Sequence, residues 1–180
     1  MHDTVPDEGL TAAQMLEQGF DTVNHLGHEV VEGLTGDELS ERLDADANPI
    51  GWLVWHVARV QDQLLSPLGG FPELWHADGW DARFDLPGTD STGEGHSREE
   101  VARVPVQDAA LLLAYADAVH AQVVRVVRAF GAASPQSAAS HAPESGTGKL
   151  LTGILLAVTQ HCGQAAYVKG ILLRRRQPAQ

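Results

Sequence analysis

The chain carries a single cysteine, Cys162, in 180 residues. No intrachain disulfide can form, which fits a reducing compartment. Cys162 follows His161, but neighbours on a helix point about 100° apart. The thiol is therefore expected to be buried and inert. No apolar run nears the roughly 18 residues of a membrane span. The opening, MHDTVPDEGL, lacks the basic start and apolar core of a secretory signal. These absences point to a cytoplasmic protein with no membrane partner. Basic residues are scarce as well: 12 against 24 acidic ones, a net charge of −12. Residues 1–50 hold 12 acids and one base, Arg42. Such a surface repels phosphate, which excludes nucleic acid as a partner. The one basic cluster, Arg174 to Arg176, suits the C-terminal end of a helix dipole. Strand-like alternation is missing, and so are the metal signatures HxxxH, HExxH and CxxC.

What is present reads as helix. Hydrophobic residues make up 43% and charged residues 20%, the balance of an ordinary globule, and the length suits one domain over 1–180. Residues 1–9 form a loose arm. Thr11 with Gln14 is a capping box that opens a helix to about Leu34, with a stripe of Leu16, Phe20, Val23, Gly27, Val30 and Leu34. His25 and His28 fall off that stripe and belong on the surface. Thr35 with Glu38 opens a short helix ending near Leu43. Asn48 as cap and Pro49 at the first helical position start a second long helix to Leu65, with Leu53, His56, Val60 and Leu64 on one face.

Residues 66–95 change character. They are rich in glycine and proline and hold Trp75 and Trp80, with one short helix expected near Pro72 to Trp80. Ser97 with Glu100 is a third capping box. A third long helix is expected from Asp108 to Phe130, with Leu113, Ala116, His120, Val123, Val127 and Phe130 facing inward. Residues 131–148, small and polar, form a flexible linker in which His141 is solvated. A fourth long helix runs from Lys149 to Arg175. Its seam of Leu151, Ile154, Val158, His161, Ala165, Val168 and Leu172 alternates 3 and 4 without a miss. The fold class is all-α, a four-helix bundle with a long crossover between the second and third long helices.

Three of these helices each bring one histidine to the seam: His56, His120 and His161. A lone imidazole on an apolar seam is usually a satisfied core group. Several at one depth make a candidate metal site, since bundle cores build such sites from facing helices.

WLVWHVARVQD followed by QHCGQAAYVKG resembles the DinB/YfiT-like superfamily, closest to its mycothiol-transferase-like branch. The stretch GWDARFDLPGTDSTGEGHS resembles that branch's crossover, and the likeness covers nearly the whole chain. The resemblance implies a four-helix bundle, often a homodimer, and a divalent metal such as zinc or nickel. It places metal ligands at His56 and His161, and a third four residues before His161. Here that residue is Ala157, which has no donor atom. His120 or His96 is left to complete the set. The resemblance further implies S-transfer from a low-molecular-weight thiol, mycothiol or bacillithiol, to a small-molecule substrate. Trp52, Arg59 and Gln164 are then the candidate substrate-binding residues, with Arg59 suited to a carboxylate and the Trp75–Trp80 region to covering a pocket. Ala157 equally suits a metal-free member acting as a binding or stress-response module.

Overall fold

The computed structural model describes residues 10–132 and 146–176. The expected arm at residues 1–9, His141 and most of the 131–148 linker lie outside the described residues. The described residues form eight helices and no strand: α1 (Ala12–Val31), α2 (Gly36–Ser40), α3 (Ile50–Gly69), α4 (Leu74–Ala77), α5 (Trp80–Arg83), α6 (Arg98–Arg103), α7 (Ala109–Ala132) and α8 (Gly146–Arg175). The four long helices make the bundle. α3 packs on α7 and α8, and α1 packs on the same two, so α1 and α3 are diagonal and barely touch. The α3–α8 seam therefore lies on the opposite side of the bundle from the α1–α7 seam. By length and composition α7 also passes for a membrane-crossing helix, but its apolar side is spent on α1 and α3.

All three capping boxes form as expected. Thr11, Thr35 and Ser97 each accept from the backbone three residues on, and Gln14, Glu38 and Glu100 answer back. Arg175 pairs with Glu41 at 2.9 Å and Arg176 with Glu38, which ties α8 to α2 and its C-terminal neighbour.

The second long helix departs from expectation. Pro49 occupies the cap position and makes no side-chain cap bond, so Asn48 lies outside the helix. The helix continues past Leu65 with Pro67 in its last turn and closes on Gly70, whose φ of +68° suits a residue without Cβ. Its buried face is also wider than one stripe. Every residue from Ile50 to Arg59 is buried, while Leu64 is 41% exposed. The crossover causes this by lying across the side of α3 that the bundle leaves open.

A buried polar network fastens the crossover there. Arg59 and Asp62 are both fully buried, 3.4 Å apart. Arg59 also reaches Glu73 at 3.2 Å, the Tyr115 hydroxyl at 3.3 Å, and the carbonyls of Asp90 and Ser91 at 3.4 Å. Asp62 accepts from the backbone N–H groups of Leu74 and Trp75 at 2.9 and 2.8 Å and from the Tyr115 hydroxyl at 2.9 Å. So α4 starts on a carboxylate lent by α3. The expected single helix becomes two one-turn helices, whose Trp75 and Trp80 pack with Phe84 against Tyr115.

Candidate functional site

His56 on α3 and His161 on α8 meet across their shared seam. Their ring centroids are 4.8 Å apart, edge to face at 80°. His56 is 2% exposed and His161 is half-buried. Each ring is held by its outer nitrogen. Nδ1 of His56 lies 2.6 Å from the Thr92 carbonyl oxygen, which can only accept. Nδ1 of His161 lies 3.1 Å from Oε1 of Gln164. Both Nδ1 atoms therefore carry the hydrogen, and both Nε2 atoms keep bare lone pairs. Burial is the main influence that pushes the His56 pKa below its ordinary value, and it outweighs the Thr92 bond that favours the charged form. The imidazole stays neutral near pH 7.

The crossover shapes this pair from behind. Trp52 stacks flat on His56, with centroids 4.8 Å apart and planes 12° apart. Gly93, with φ +97°, fills the notch between Trp52, Trp55 and His56. A Cβ there would stand 2.6 Å from Trp52 Cζ2 and 2.9 Å from Trp55 Cζ3. Next to it, the Ser91 hydroxyl accepts from the Gly93 N–H at 3.0 Å and meets Nε2 of His96 at 2.8 Å. Thr92 and Gly93 were not singled out in the sequence. Their signal was the glycine pair of TGEGH, which marks a tight backbone approach.

The structure separates the remaining candidates. His120 does not join the pair. The buried seam of α7 runs through Leu112, Tyr115, Val119, Gln122, Val123, Val126 and Val127; Val123 and Val127 are buried as expected, while in the first half of the helix the seam lies one residue before the expected Leu113, Ala116 and His120. His120 thus sits at the rim, where Nε2 meets Asp21 on α1 at 3.0 Å. His96 is engaged by Ser91 and lies against both tryptophans. Arg59 is spent on Asp62, Glu73 and the crossover carbonyls, so it is no anchor for a ligand carboxylate. Trp52 is 4% exposed and backs the imidazole instead of facing a ligand. Trp75 and Trp80 are buried core residues. Gln164 stays at the site, lining a groove of about 520 Å³ with Asn48, Leu53 and Tyr167. On the other flank Ala157 lines a groove of about 480 Å³ with Val60, Leu64 and Leu150. Cys162 is buried as expected, and burial pushes its thiol up to about 11.

The donor set falls short of a resident metal. Among the described residues no three His, Cys, Asp or Glu side chains gather as a metal-holding group. Two imidazoles are one short of the three protein donors of a catalytic zinc site. Ala157, one turn before His161, contributes only a methyl group.

Comparison with known proteins adds two findings. The family model of the DinB superfamily matches residues 20–164. The crystal structure of a conserved protein from Enterococcus faecalis superposes with a TM-score of 0.75, at 23% identity, over 89% of this chain and 96% of that one. At that identity the likeness concerns the fold. No curated protein matches the chain.

Proposed function

Because this chain belongs to the DinB superfamily, we propose that it binds a low-molecular-weight thiol of the mycothiol or bacillithiol kind at His56 and His161 and transfers its sulfur to an electrophilic small molecule. The observation that carries this reading is the pair of bare Nε2 atoms on touching rings, each ring fixed through its other nitrogen. Two acceptors with no protein donor between them suit a group that brings its own proton. A thiol S–H does so. The proton passes to an imidazole, the sulfur forms a C–S bond, and a leaving group departs from the carbon. No metal takes part in these steps. Imidazole bases of this kind contribute roughly 10²–10⁴-fold. Two grooves flank the pair along the α3–α8 seam, one at Leu53 and Gln164 and one at Val60 and Ala157, and offer space for the two substrates next to it.

The reading includes a homodimer in the cytoplasm. Leu156 and Tyr167 stand 66% and 69% exposed on α8, and Leu64 and Leu68 stand 41% and 38% exposed on α3. A second copy of the chain is the partner that covers such a face.

The test is alkylation of mycothiol, bacillithiol or N-acetylcysteine by monobromobimane, followed by fluorescence with and without the protein. Acceleration that is lost in His56→Gln and in His161→Gln supports the reading. Rates equal to the uncatalysed reaction with every thiol overturn transfer. Saturable thiol binding without acceleration selects a second reading, a metal-free binding module, which Ala157 favours.

A further inference from the structure

The α3–α8 seam does not end at the histidine pair. α3 runs forward from His56 to Val60 and Leu64, while α8 runs back from His161 to Ala157 and Gly153 by the same steps of four residues. The two helices are antiparallel here, and these residues border the groove of about 480 Å³ that begins one turn from the pair. Its described lining comes from α3 and α8 alone. Leu64 and Leu150 stand 41% and 37% exposed along it, and Ile154, 4% exposed, lies at its floor. Small residues keep it open. A Cβ at Gly153 would meet nothing within 4 Å, nor would one at Gly146. Small-ligand sites are of this kind, roughly 300–1,000 Å³ with apolar walls and a few polar groups.

The polar group in this groove is Lys149. Among the described residues that line it, Lys149 is the one charged side chain, and it forms no hydrogen bond or ion pair with any described residue. The chain has 24 acids to 12 bases, so a lysine without a carboxylate is unexpected. The cause is local. α8 holds Lys149, Lys169, Arg174 and Arg175 and no acid. The one acid of α3, Asp62, is fully buried against Arg59. Neither helix bordering the groove therefore places a carboxylate at its surface. The net charge of −12 repels anions from the molecule as a whole, but this face lacks the close acids that would make the repulsion strong.

The dimensions then set the ligand. Lys149 lies eight residues before Ala157 on α8, about 12 Å along the helix axis. An ammonium at one end of an apolar trough of that length matches an alkyl chain of medium length that ends in a carboxylate. A short anion would leave the leucines uncovered, and a neutral chain would leave the ammonium without a partner.

We propose that the α3–α8 groove is a binding site for a medium-chain carboxylate, with the carboxylate on Lys149 and the far end of the chain beside Ala157, one turn from the imidazoles. The chain lies against Leu64, Leu150 and Ile154, and its burial supplies most of the affinity. Lys149 supplies the preference for an anion. The site does not depend on the thiol reading, because it uses no proton of either imidazole and no group held between them.

Titration of the full-length ¹⁵N-labelled protein with octanoate, and in parallel with octanol, tests the site at physiological salt. The expected result is saturable one-to-one binding, with the amide shifts concentrated at Leu150, Gly153 and Ala157. Octanoate should bind about threefold more tightly than octanol, the scale of one exposed charge pair, and Lys149→Gln should remove that difference without weakening octanol. Gly153→Leu fills the groove at an exposed helical position where leucine favours the helix, so it is expected to fold and to weaken both ligands about tenfold. No saturable binding, shifts elsewhere, equal affinity for octanoate and octanol, or undiminished binding to Gly153→Leu each overturns the proposal. So does a dimer that dissociates in Gly153→Leu while the wild type binds no octanoate, which assigns the groove to a second copy of the chain. The titrations contain no thiol, so their failure and the failure of thiol transfer are told apart.

Discussion

The carbonyl oxygen of Thr92 lies 2.6 Å from Nδ1 of His56, so a crossover residue decides which nitrogen of a helix histidine is bare. The same crossover carries Gly93 into the notch beside it. Together they turn a core imidazole into a fixed acceptor, and they make the site sensitive to residues that never touch a ligand.

Gly93→Ala is the first expected disruption. The new Cβ meets two tryptophan rings inside 3.0 Å and the His56 Nδ1 at 3.2 Å, at a φ of +97° that side chains rarely adopt. Urea denaturation should show a loss of about 1–3 kcal/mol, the range for overpacking and backbone strain. The variant should also release Thr92 from His56, which appears as a mixed His56 tautomer in ring ¹⁵N spectra. A variant as stable as the wild type with an unchanged tautomer contradicts the wedge role.

Arg59→Ala should cost more. It leaves Asp62 fully buried without its cation, and breaking a buried pair from one side costs about 3–5 kcal/mol. Arg59→Met combined with Asp62→Asn removes both charges and should recover part of that loss. Denaturation curves for the two variants give the comparison. If the double variant is the less stable of the two, charge isolation is not the source of the cost.

These two residues also mark where the sequence stopped being legible. The capping boxes at Thr11, Thr35 and Ser97 are local, and all three form. The 3–4 seam of α8 is local too, and it brought His161 to the partner expected for His56. Arg59 and Gly93 act through chain segments brought together only by folding, so nothing at neighbouring positions announces Asp90, Ser91 or the tryptophan notch. The one-residue shift on α7 has a similar origin. Tyr115 and Gln122 are polar enough to be passed over by an apolar stripe, yet both are buried because Asp62 and Ser66 wait for them on α3. That shift moved His120 from the pair to Asp21.

Stability should fall in mild acid through His56. Its folded pKa lies below the unfolded value of 6.5, chiefly because burial disfavours the imidazolium. The unfolded chain therefore binds a proton first, and His56 stabilises the fold fully above pH 6.5 and progressively less below it. His76 has the opposite sign, because Asp90 and then Asp81 raise its pKa; its share is lost as pH rises, and at 39% exposure it is small. Glu38, held down to about 2 chiefly by Arg176, acts only below its unfolded value of 4.5. Denaturation midpoints at pH 7.5 and 5.5 should thus drop for the wild type and drop less for His56→Gln. Equal drops in both proteins assign the acid sensitivity elsewhere.

Ala157→Asp should create the metal site that the native donor set lacks. Residue 157 is one helical turn before His161 on α8 and is exposed in a groove, so a carboxylate fits there without displacing core atoms. With His56 and His161 it makes two nitrogens and one carboxylate, the set of three donors that catalytic zinc sites use. Both imidazoles already present bare Nε2 atoms, held by Thr92 and Gln164 as outer partners hold metal-bound histidines. The untagged wild type should retain less than about a tenth of an equivalent of zinc or nickel, and calorimetry should show the variant binding zinc at least about tenfold more tightly. The gain should vanish when His56→Gln is added. A variant that binds no better than the wild type means the Nε2 atoms do not converge on a point that residue 157 can reach. A wild type that retains a full equivalent means that a donor other than Ala157 completes the site.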